Sequence, residues 1–446
     1  MKHILLLGAG RSSVYLIDYL ISQAPLQDWH LTIADLDTQP LQSRFAGSPQ
    51  LTLVNFNIHN PENLKNWVPA ADLVISMLPA AFHLAVAKAC LEFKKHFLTA
   101  SYITPEIQNL HGEAQQNKLL FLMETGLDPG IDHLSAMETI SRIQAPGGEL
   151  LAFKSYTGGL VAPESDNNPW HYKISWNPRN VVLAGKGTAT FLQNNKPKYI
   201  PYPQLFRRTE IITVPGLGPL EGYANRDSLL YRKAYNLDTI PTLLRGTLRW
   251  PGFCSAWHQL VTLGLTDDHY TVPNSDNITY AQWLEYYLPE TAGADSILAK
   301  RLADFLKIQE DSPELEAIRY LGLLGDRIIG LKEASPAQIL EQCLVQKLKL
   351  QPTDRDLVVM QHEFQYRLAG IKKRLKSSLV LEGKDATYTA MAKTVGMPLA
   401  FAAELILQEK ITLTGVHLPI YPELYQPILA RLKSIGIGFT EQEEIF

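Results

Sequence analysis

Along the first 125 or so residues, short apolar runs alternate with segments in which apolar residues recur every three or four positions. The runs have the length and composition of buried strands, and the spaced segments are typical of helices. Helices between buried strands act as crossover connections, which produce a parallel sheet covered on both faces. The predicted strands are 2–7, 29–34, 51–56, 73–77, 96–100 and 119–123, and the predicted helices are 14–22, 61–67 and 81–92.

The pattern changes after residue 126, where Gly, Pro, Asn and aromatic residues become frequent and the apolar runs become shorter. This composition and these short apolar runs predict a mixed α+β region with long loops. Helical spacing then dominates, and strand-like alternation returns before the C-terminal helices. The predicted elements are strands at 151–156, 181–183, 210–214 and 370–381, helices within 252–350 and at 387–408 and 420–435, and a turn at 411–416.

These patterns predict an α/β protein with three parts. An N-terminal Rossmann domain with a doubly wound sheet comprises residues 1–127 and is completed by the C-terminal segment 387–446. A mixed α+β substrate domain comprises 128–251 and 351–386, and a helical insertion covers 252–350. Because no flexible linker separates them, we expect the domains to be interleaved.

The composition narrows the classes of function. The chain of 446 residues has 41 basic and 45 acidic side chains, a net charge of −4, so no basic excess indicates a nucleic-acid or membrane partner. The cysteines, Cys90, Cys254 and Cys343, are too few for a disulfide framework, which favours a reducing cytoplasm. The histidines form no metal-binding motif, and no apolar run reaches the roughly 18 residues of a membrane span.

A turn containing glycine follows the first strand and precedes the first helix. Its sequence, GAGRSS at 8–13, nearly matches the motif GxGxxG, with Ser13 in the place of the third glycine. Gly8 permits the tight turn, Gly10 lets the backbone approach a pyrophosphate, and the helix beginning near Ser12 directs free N–H groups towards it. We therefore assign Gly8, Gly10, Arg11, Ser12 and Ser13 to dinucleotide binding, against the alternative of a structural turn.

An acidic residue, Asp35, ends the second strand 25 residues after Gly10. An acid at this position accepts hydrogen bonds from the adenosine ribose and repels a 2′-phosphate, so it favours NAD over NADP. Arg11 in the loop or Arg44 further along could instead receive a 2′-phosphate. The structural alternative is an Asp that only caps a turn.

Other strand ends are also candidates for the cofactor site. In a doubly wound sheet, the ligand crevice lies at the carboxyl ends of the strands. Proline breaks a strand, and it exposes backbone at such an end. The alternative is that each strand end is an ordinary loop without a ligand. The residues assigned to the cofactor are Asn57, Ile58, Met77, Leu78, Pro79, Leu127 and Asp128.

Several longer motifs resemble one known family. They follow one another from the glycine turn to near the C-terminus and cover nearly the whole chain. The chain resembles the saccharopine dehydrogenases of the glutamate-forming kind, also called saccharopine reductases. The motifs are TASYITP (99–105), ETGLDPGIDH (124–133), SYTGGLVAP (155–163), YKISW (172–176), YANRDS (223–228), RGTLRWPG (245–252), TYTAMAKTVG (387–396) and GVHLP (415–419).

The resemblance implies a pyridine-nucleotide oxidoreductase that acts on a secondary amine. Oxidation of saccharopine at its lysine-derived carbon gives an imine, and hydrolysis then yields glutamate and 2-aminoadipate 6-semialdehyde. The reverse reaction is a reductive condensation. Members of the family use either NADP or NAD, and Asp35 places this chain nearer the NAD type. A homodimer is expected from the resemblance alone.

Saccharopine carries three carboxylates and two amines, and guanidinium and hydroxyl groups bind carboxylates well. Asp128 and Tyr102 are the candidates for acid–base catalysis. The alternative is that the substrate amine handles its own protons and the protein mainly positions it against the nicotinamide. His133 is either a structural residue or a proton shuttle, and Thr157 stands where family members often have Cys, a departure that weakens any role for a thiol. By resemblance, the substrate-binding residues are Ser101, Tyr102, Asp128, Ser175, Arg226, Thr247 and Arg249.

Two other functions would suit the same fold. A carboxyspermidine-type dehydrogenase would act on a polyamine-derived amine and would need fewer carboxylate-binding groups, so the presence of both Arg226 and Arg249 favours saccharopine. A non-catalytic nucleotide-binding redox sensor would be expected to lack the substrate-loop groups that this chain keeps.

Overall fold

The computed structural model describes residues 1–45, 47–290 and 297–446. The chain forms two compact units, and each of them is assembled from separate stretches of sequence. The first unit comprises Met1–Glu149, Leu368–Gly370 and Thr387–Thr440, and the second comprises Leu150–Arg367, Ile371–Ala386 and Glu441–Phe446.

The strands are β1 (Lys2–Leu7), β2 (Trp29–Asp35), β3 (Leu51–Asn55), β4 (Leu73–Ser76), β5 (His96–Thr99), β6 (Leu120–Leu122), β7 (Glu149–Val161), β8 (Ala189–Gln193), β9 (Lys196–Ile200), β10 (Glu210–Val214), β11 (Gly218–Ala224), β12 (Thr242–Arg249), β13 (Asp356–Leu368), β14 (Ile371–Glu382), β15 (Gly415–His417) and β16 (Thr440–Ile445). The helices are α1 (Val14–Gln27), α2 (Gln39–Arg44), α3 (Pro61–Trp67), α4 (His83–Glu92), α5 (Pro105–Gln108), α6 (His111–Gln116), α7 (Ile131–Gln144), α8 (Pro178–Val182), α9 (Tyr202–Leu205), α10 (Leu230–Ala234), α11 (Phe253–Thr262), α12 (Tyr280–Glu285), α13 (Leu298–Leu306), α14 (Pro313–Tyr320), α15 (Pro336–Lys347), α16 (Ala390–Leu407) and α17 (Pro422–Ser434).

The first unit is built on a parallel sheet with the strand order β15-β6-β5-β4-β1-β2-β3. In the interior strand β1, Ile4, Leu5, Leu6 and Leu7 are each 0% exposed, so both faces of the sheet are covered. Helices α1, α4 and α16 lie against the sheet. The predicted α/β class, with an N-terminal doubly wound Rossmann sheet and a mixed α+β domain, is confirmed.

The C-terminal segment completes this sheet. Strand β15 pairs in parallel with β6, with Gly415 opposite Leu120. Helix α16 packs against α1 so closely that a Cβ on Gly396 would lie 3.0 Å from the backbone N of Leu16. The turn predicted at 411–416 was wrong in its last two residues, which begin β15, because a three-residue strand is too short to produce a recognisable apolar run.

The second unit contains a larger mixed sheet. Its strand order is β10-β11-β12-β7-β13-β14-β16, and β8 pairs with both β12 and β9. Strand β12 pairs in parallel with β7 and antiparallel with β11. This pairing brings the motifs at 155–163, 223–228 and 245–252 into neighbouring positions on one sheet.

The helices of residues 252–350 belong to the core of the second unit. Trp257, Trp283 and Leu340 share one buried cluster with Leu244 and Val359 of the sheet. Since these residues share that core, the structure shows no separate helical body among the residues it describes. The structure also places the boundary between the units after residue 149 rather than 127, because α7 packs against α17 within the first unit.

The strand-like run at 181–183 lies at the end of helix α8. The side chain of Asn177 accepts hydrogen bonds from the backbone N–H groups of Arg179 and Asn180, and Pro178 occupies the first helical position. These start signals outweigh the β preference of Val181 and Val182. The strand predicted at 181–183 was therefore wrong.

Candidate active site

The turn after β1 has the geometry that a dinucleotide pyrophosphate requires. Gly8 has φ of +94°, and a Cβ at this position would lie 3.0 Å from the carbonyl C and O of Met77. A Cβ on Gly10 would meet nothing within 4 Å, so the space beside its backbone is open. Ser13 is buried and donates a hydrogen bond to the carbonyl O of Gly10 at 2.6 Å, which ties the turn to the start of α1.

Asp35, at the end of β2, supports this turn directly. One oxygen of its carboxylate accepts a hydrogen bond from the backbone N–H of Ala9 at 2.6 Å. An acid at the strand end therefore does not by itself indicate a ribose ligand. Of the two arginines considered for a 2′-phosphate, Arg44 binds Asp18 at 2.5 Å, whereas Arg11 is exposed and has no ion-pair partner in the described part of the chain.

The other residues predicted to contact the cofactor lie at the carboxyl ends of the parallel strands. The backbone of Met77 and Leu78 faces Gly8, and the N–H of Met77 donates to the carbonyl O of Leu7 at 2.7 Å. Their placement suits a cofactor site, and their contacts with a cofactor stay predictions. The residues are Asn57 and Ile58 after β3, Met77, Leu78 and Pro79 after β4, and Leu127 after β6.

A buried histidine orients Ser101, which follows β5. The Nε2 atom of His83 lies 2.6 Å from Oγ of Ser101, and its Nδ1 atom lies 3.0 Å from Oγ of Ser76 at the end of β4. Burial lowers the pKa of His83 to about 4, so the ring is neutral near pH 7 and one nitrogen donates while the other accepts. His83 was not among the predicted site residues, although a histidine beginning the helix after β4 is a signal that could have identified it.

We expect His83 to make the protein sensitive to acid. Its pKa of about 4 in the folded state lies below the ordinary 6.5, so the unfolded chain binds the proton first and stability falls as the pH drops from 6.5 towards 4. The loss amounts to about 2 kcal/mol at pH 5 relative to pH 8. Urea unfolding of the wild type and of His83→Gln at both pH values measures this difference. An equal loss of stability in both proteins would contradict the assignment.

Tyr102 and Asp128, the predicted acid–base pair, lie together. The hydroxyl of Tyr102 donates to Oδ1 of Asp128 at 3.3 Å, and both side chains are half-buried. The loop that carries Asp128 folds tightly on itself, because a Cβ on Gly130 would lie 2.0 Å from the carbonyl O of Gly126. The loop beside Asp128 is therefore closely packed and requires glycine at position 130.

His133 has the environment of a structural residue. Its Nε2 atom lies 2.8 Å from a carboxylate oxygen of Glu124, and the two residues are 0% and 1% exposed. The other oxygen of Glu124 accepts a hydrogen bond from the backbone N–H of Ile103 at 2.9 Å. These bonds fix the segment beside Tyr102, which favours support of the site over a role as proton shuttle.

Arg249, at the end of β12 in the second unit, is a buried cation without a carboxylate partner among the described residues. It is 3% exposed, and its guanidinium carbon lies 5.1 Å from the ring centre of Tyr172 and 4.9 Å from that of Phe253. One terminal nitrogen donates to the carbonyl O of Gly159 at 3.3 Å. The Nε atom is buried and has no hydrogen-bond partner among the described residues. A buried guanidinium with an unused donor is suited to bind a carboxylate.

Thr247 and Tyr223 share the face of the sheet that carries Arg249. Thr247 lies two residues before Arg249 on β12, and Tyr223 is directly opposite Thr247 on β11. Burial raises the pKa of Tyr223, while the charge of Arg249 and a hydrogen bond with Thr247 lower it, and the net shift is upward. Tyr223 is therefore a neutral hydroxyl at pH 7. It was not predicted as a site residue, although it begins the YANRDS motif.

The remaining predicted substrate residues lie elsewhere in the second unit. Ser175 is 3% exposed and follows Ile174, whose N–H donates to the carbonyl O of Leu348. Arg226 is exposed, with φ of +48°, beyond the end of β11. Arg249 on β12 pairs with Glu221 on β11, and Glu221 lies five residues before Arg226. The backbones of the two arginines are therefore roughly 15 Å apart. The structure thus separates Arg226 from Arg249 along the hairpin.

A glycine turn over a doubly wound parallel sheet defines a dinucleotide-binding protein of the Rossmann class. Comparison with family models is more specific. Residues 126–437 match the saccharopine dehydrogenase C-terminal domain, and residues 4–122 match the saccharopine dehydrogenase NADP binding domain. The chain therefore belongs to the saccharopine dehydrogenase family, as the sequence motifs predicted.

Curated relatives and solved structures agree with this assignment. The chain is 36% identical to the mitochondrial alpha-aminoadipic semialdehyde synthase of Rattus norvegicus, over 100% of this chain and 48% of that protein, so it spans about half the length of that relative. It is 33% identical to saccharopine dehydrogenase (NADP(+), L-glutamate-forming) of Saccharomyces cerevisiae, over 99% of both chains. The apo structure of the histidine-tagged L-Glu-forming saccharopine dehydrogenase from Saccharomyces cerevisiae matches with a TM-score of 0.88 at 31% identity over 100% of both chains.

The predicted preference for NAD over NADP was wrong. The matching N-terminal family domain is an NADP binding domain, and the relatives from Saccharomyces cerevisiae and Schizosaccharomyces pombe are named for NADP(+). These findings point to NADP. In the structure, the carboxylate of Asp35 accepts a hydrogen bond from the N–H of Ala9, so an acid at this strand end does not by itself decide between the two cofactors.

Proposed function

We propose that this chain is an NADP-dependent oxidoreductase of lysine metabolism that interconverts saccharopine with glutamate and 2-aminoadipate 6-semialdehyde. The observation that carries the proposal is Arg249, a buried guanidinium with an unused donor on a sheet that also presents hydroxyl groups. A substrate with several carboxylates accounts for such a group, whereas a polyamine end would not. The family supplies the reaction class.

The open space beside Gly10 fits the pyrophosphate of a dinucleotide. When bound, NADP(+) supplies a hydride acceptor for the carbon on the lysine-derived side of the secondary amine. The groups of the chain then have two tasks: to remove the amine proton, and to activate the water that adds to the resulting C=N bond. Cleavage of the C–N bond releases glutamate and the semialdehyde.

Tyr102 and Asp128 are proposed for these proton transfers. Asp128 accepts the hydrogen bond from Tyr102, so the carboxylate is the basic member of the pair and the hydroxyl is the acidic one. Ser101 supplies a further hydroxyl, whose direction is set by the neutral ring of His83. Together these groups can take a proton from the amine and direct a water molecule.

Arg249 and Arg226 are proposed to bind different carboxylates of the substrate. Their separation along the β11–β12 hairpin suits two ends of one extended molecule rather than a single carboxylate. Thr247 and Ser175 are proposed to add hydroxyl donors to these subsites. Binding both ends would position the central amine, and positioning alone contributes substantially to catalysis.

The experiment that tests the function is absorbance at 340 nm with purified protein and saccharopine, with NADP and NAD in parallel cuvettes. We expect absorbance to grow with NADP. No growth with either cofactor would overturn the proposal, and growth with carboxyspermidine but not with saccharopine would favour the polyamine-type dehydrogenase.

Arg11 gives a prediction about cofactor choice. Replacing Arg11 with Ala should raise KM for NADP about tenfold and leave KM for NAD nearly unchanged, because an exposed guanidinium can bind the 2′-phosphate that NADP alone carries. Steady-state kinetics with each cofactor measure the two constants. Arg44→Ala is the control, since Arg44 is already bound to Asp18. Equal effects of Arg11→Ala on both cofactors would refute this role.

Helix α16 bears on the relation of the chain to a membrane. In the described part of the chain it is the one helix that is long and apolar enough to cross a membrane, and 89% of it is buried inside the structure. Such burial is typical of a core helix. The cytoplasmic location, the homodimer and the absence of nucleic-acid and membrane partners stay predictions from the sequence.

A further inference from the structure

Thr157 has a buried hydroxyl group that the fold does not use. The residue lies on β7 and is 7% exposed, and its Oγ1 atom has no hydrogen-bond partner among the described residues. A valine would fill the same space and suit a strand equally well. Leaving a buried hydroxyl unpaired costs free energy, so the position calls for a partner from outside the chain.

The register of the sheet places Thr157 beside the Arg249 subsite. Thr157 is directly opposite Thr247 on β12, and Thr247 is directly opposite Tyr223 on β11, so the three side chains form one row. Arg249, two residues after Thr247, points to the same face and donates to Gly159, two residues after Thr157. Both unused donors, Oγ1 of Thr157 and Nε of Arg249, therefore belong to one patch of the sheet.

The chemistry of this patch selects an anion. Its unused groups are a guanidinium N–H and a hydroxyl, and Tyr223 adds a neutral hydroxyl. Glu221 is the acid opposite Arg249, but its carboxylate accepts hydrogen bonds from the backbone N–H groups of Gly252 and Cys254, at 3.2 and 3.1 Å, where α11 begins. Glu221 is thus held by the N-terminus of a helix, and the charge of Arg249 is left for a ligand.

We propose that Thr157 is a specificity-determining residue that completes a carboxylate subsite with Arg249, in which one carboxylate oxygen of the substrate binds Nε of Arg249 and the other accepts the hydroxyl proton of Thr157. This inference rests on the proposed function for the identity of the substrate. A substrate that placed an apolar or cationic group in this subsite would leave Nε of Arg249 and the hydroxyl of Thr157 buried and unpaired. The subsite would therefore reject such a substrate.

Three variants test the subsite. Thr157→Val removes only the hydroxyl and should raise KM for saccharopine about tenfold, equivalent to about 1.4 kcal/mol, with KM for NADP unchanged. Thr157→Ser should restore most of the affinity. The control is Thr242→Val, on β12, because the hydroxyl of Thr242 already accepts a hydrogen bond from the N–H of Asn194 at 3.1 Å. It should lower stability without changing KM for saccharopine.

The melting temperature without substrate separates binding from folding. Thr157→Val should melt no lower than the wild type, since it removes an unpaired buried hydroxyl. A KM for saccharopine that stays within twofold of the wild type, or a rise that Thr242→Val reproduces, would overturn the proposal.

A second measurement keeps this inference distinct from the proposed function. If the wild type does not oxidise saccharopine with NADP, the function fails, and calorimetric titration with glutarate then probes the subsite alone. Glutarate should bind the wild type at least five times more tightly than Thr157→Val. Equal binding to both proteins, or no binding to the wild type, would overturn the subsite.

Discussion

Replacing Arg249 with Met is expected to lower kcat/KM for saccharopine by about 10³-fold. In the complex, the variant leaves a substrate carboxylate without its guanidinium partner, and removing one member of a buried charge pair costs about 2–5 kcal/mol. Because the guanidinium is 3% exposed, no water molecule takes its place beside the carboxylate. Arg249→Lys should lose at least tenfold, because lysine has a methylene group where arginine has the Nε–H donor. Steady-state kinetics at saturating NADP measure the effect.

The stability of Arg249→Met shows whether its loss of activity comes from substrate binding or from folding. Without substrate, Arg249 is a buried cation among Tyr172 and Phe253, so methionine should leave the melting temperature unchanged or raise it. Arg319→Met, at an exposed position on α14, is the control and should alter neither property. A lower melting temperature that accompanies the lost activity would attribute the defect to folding instead.

Replacing Lys173 with Met is expected to lower the free energy of unfolding by about 3–5 kcal/mol. The Nζ atom of Lys173 lies 2.6 Å from a carboxylate oxygen of Asp354, and the two side chains are 5% and 11% exposed. The variant leaves the Asp354 carboxylate buried without a counter-charge, which is far costlier than removing the pair. The midpoint of urea unfolding, monitored by tryptophan fluorescence, measures the loss.

The double variant Lys173→Met with Asp354→Leu should recover most of this stability, since neither charge is then buried. Lys65→Met serves as the control, because the pair of Lys65 with Glu62 is largely exposed, and the variant should leave the midpoint of urea unfolding nearly unchanged. If the single and the double variant at 173 unfold at the same urea concentration, the buried-charge explanation is wrong.

The glycine turn and its strands could be predicted from the sequence because their signals are local. A continuous apolar run, two glycines and a helical pattern follow one another at the N-terminus, and the structure has β1, the turn and α1 in that order. Strand β15 carries no such signal, since only its pairing with β6, nearly 300 residues earlier in the chain, makes Gly415–His417 a strand.

Side-chain roles were harder to predict because they also depend on contacts between residues that are distant in the sequence. Asp35 has the position of a ribose ligand, but its bond to Ala9 depends on the path of the turn in space. His83 contacts Ser101 only because the ends of β4 and β5 bring Ser76 and Ser101 to either side of its ring. Likewise, the sheet register alone reveals that Thr157 and Arg249 share one patch.

Completion of the first sheet by β15 and α16 has a consequence for biosynthesis. Roughly 300 residues separate β6 from β15. At a synthesis rate of about 5–20 residues per second, β15 therefore leaves the ribosome about 15–60 s after β6. During that interval the edge of β6 is unpaired and the apolar surface that α16 covers on α1 is open to water. The nucleotide-binding unit therefore reaches its native fold only after most of the second unit, up to Ala386, has been synthesised.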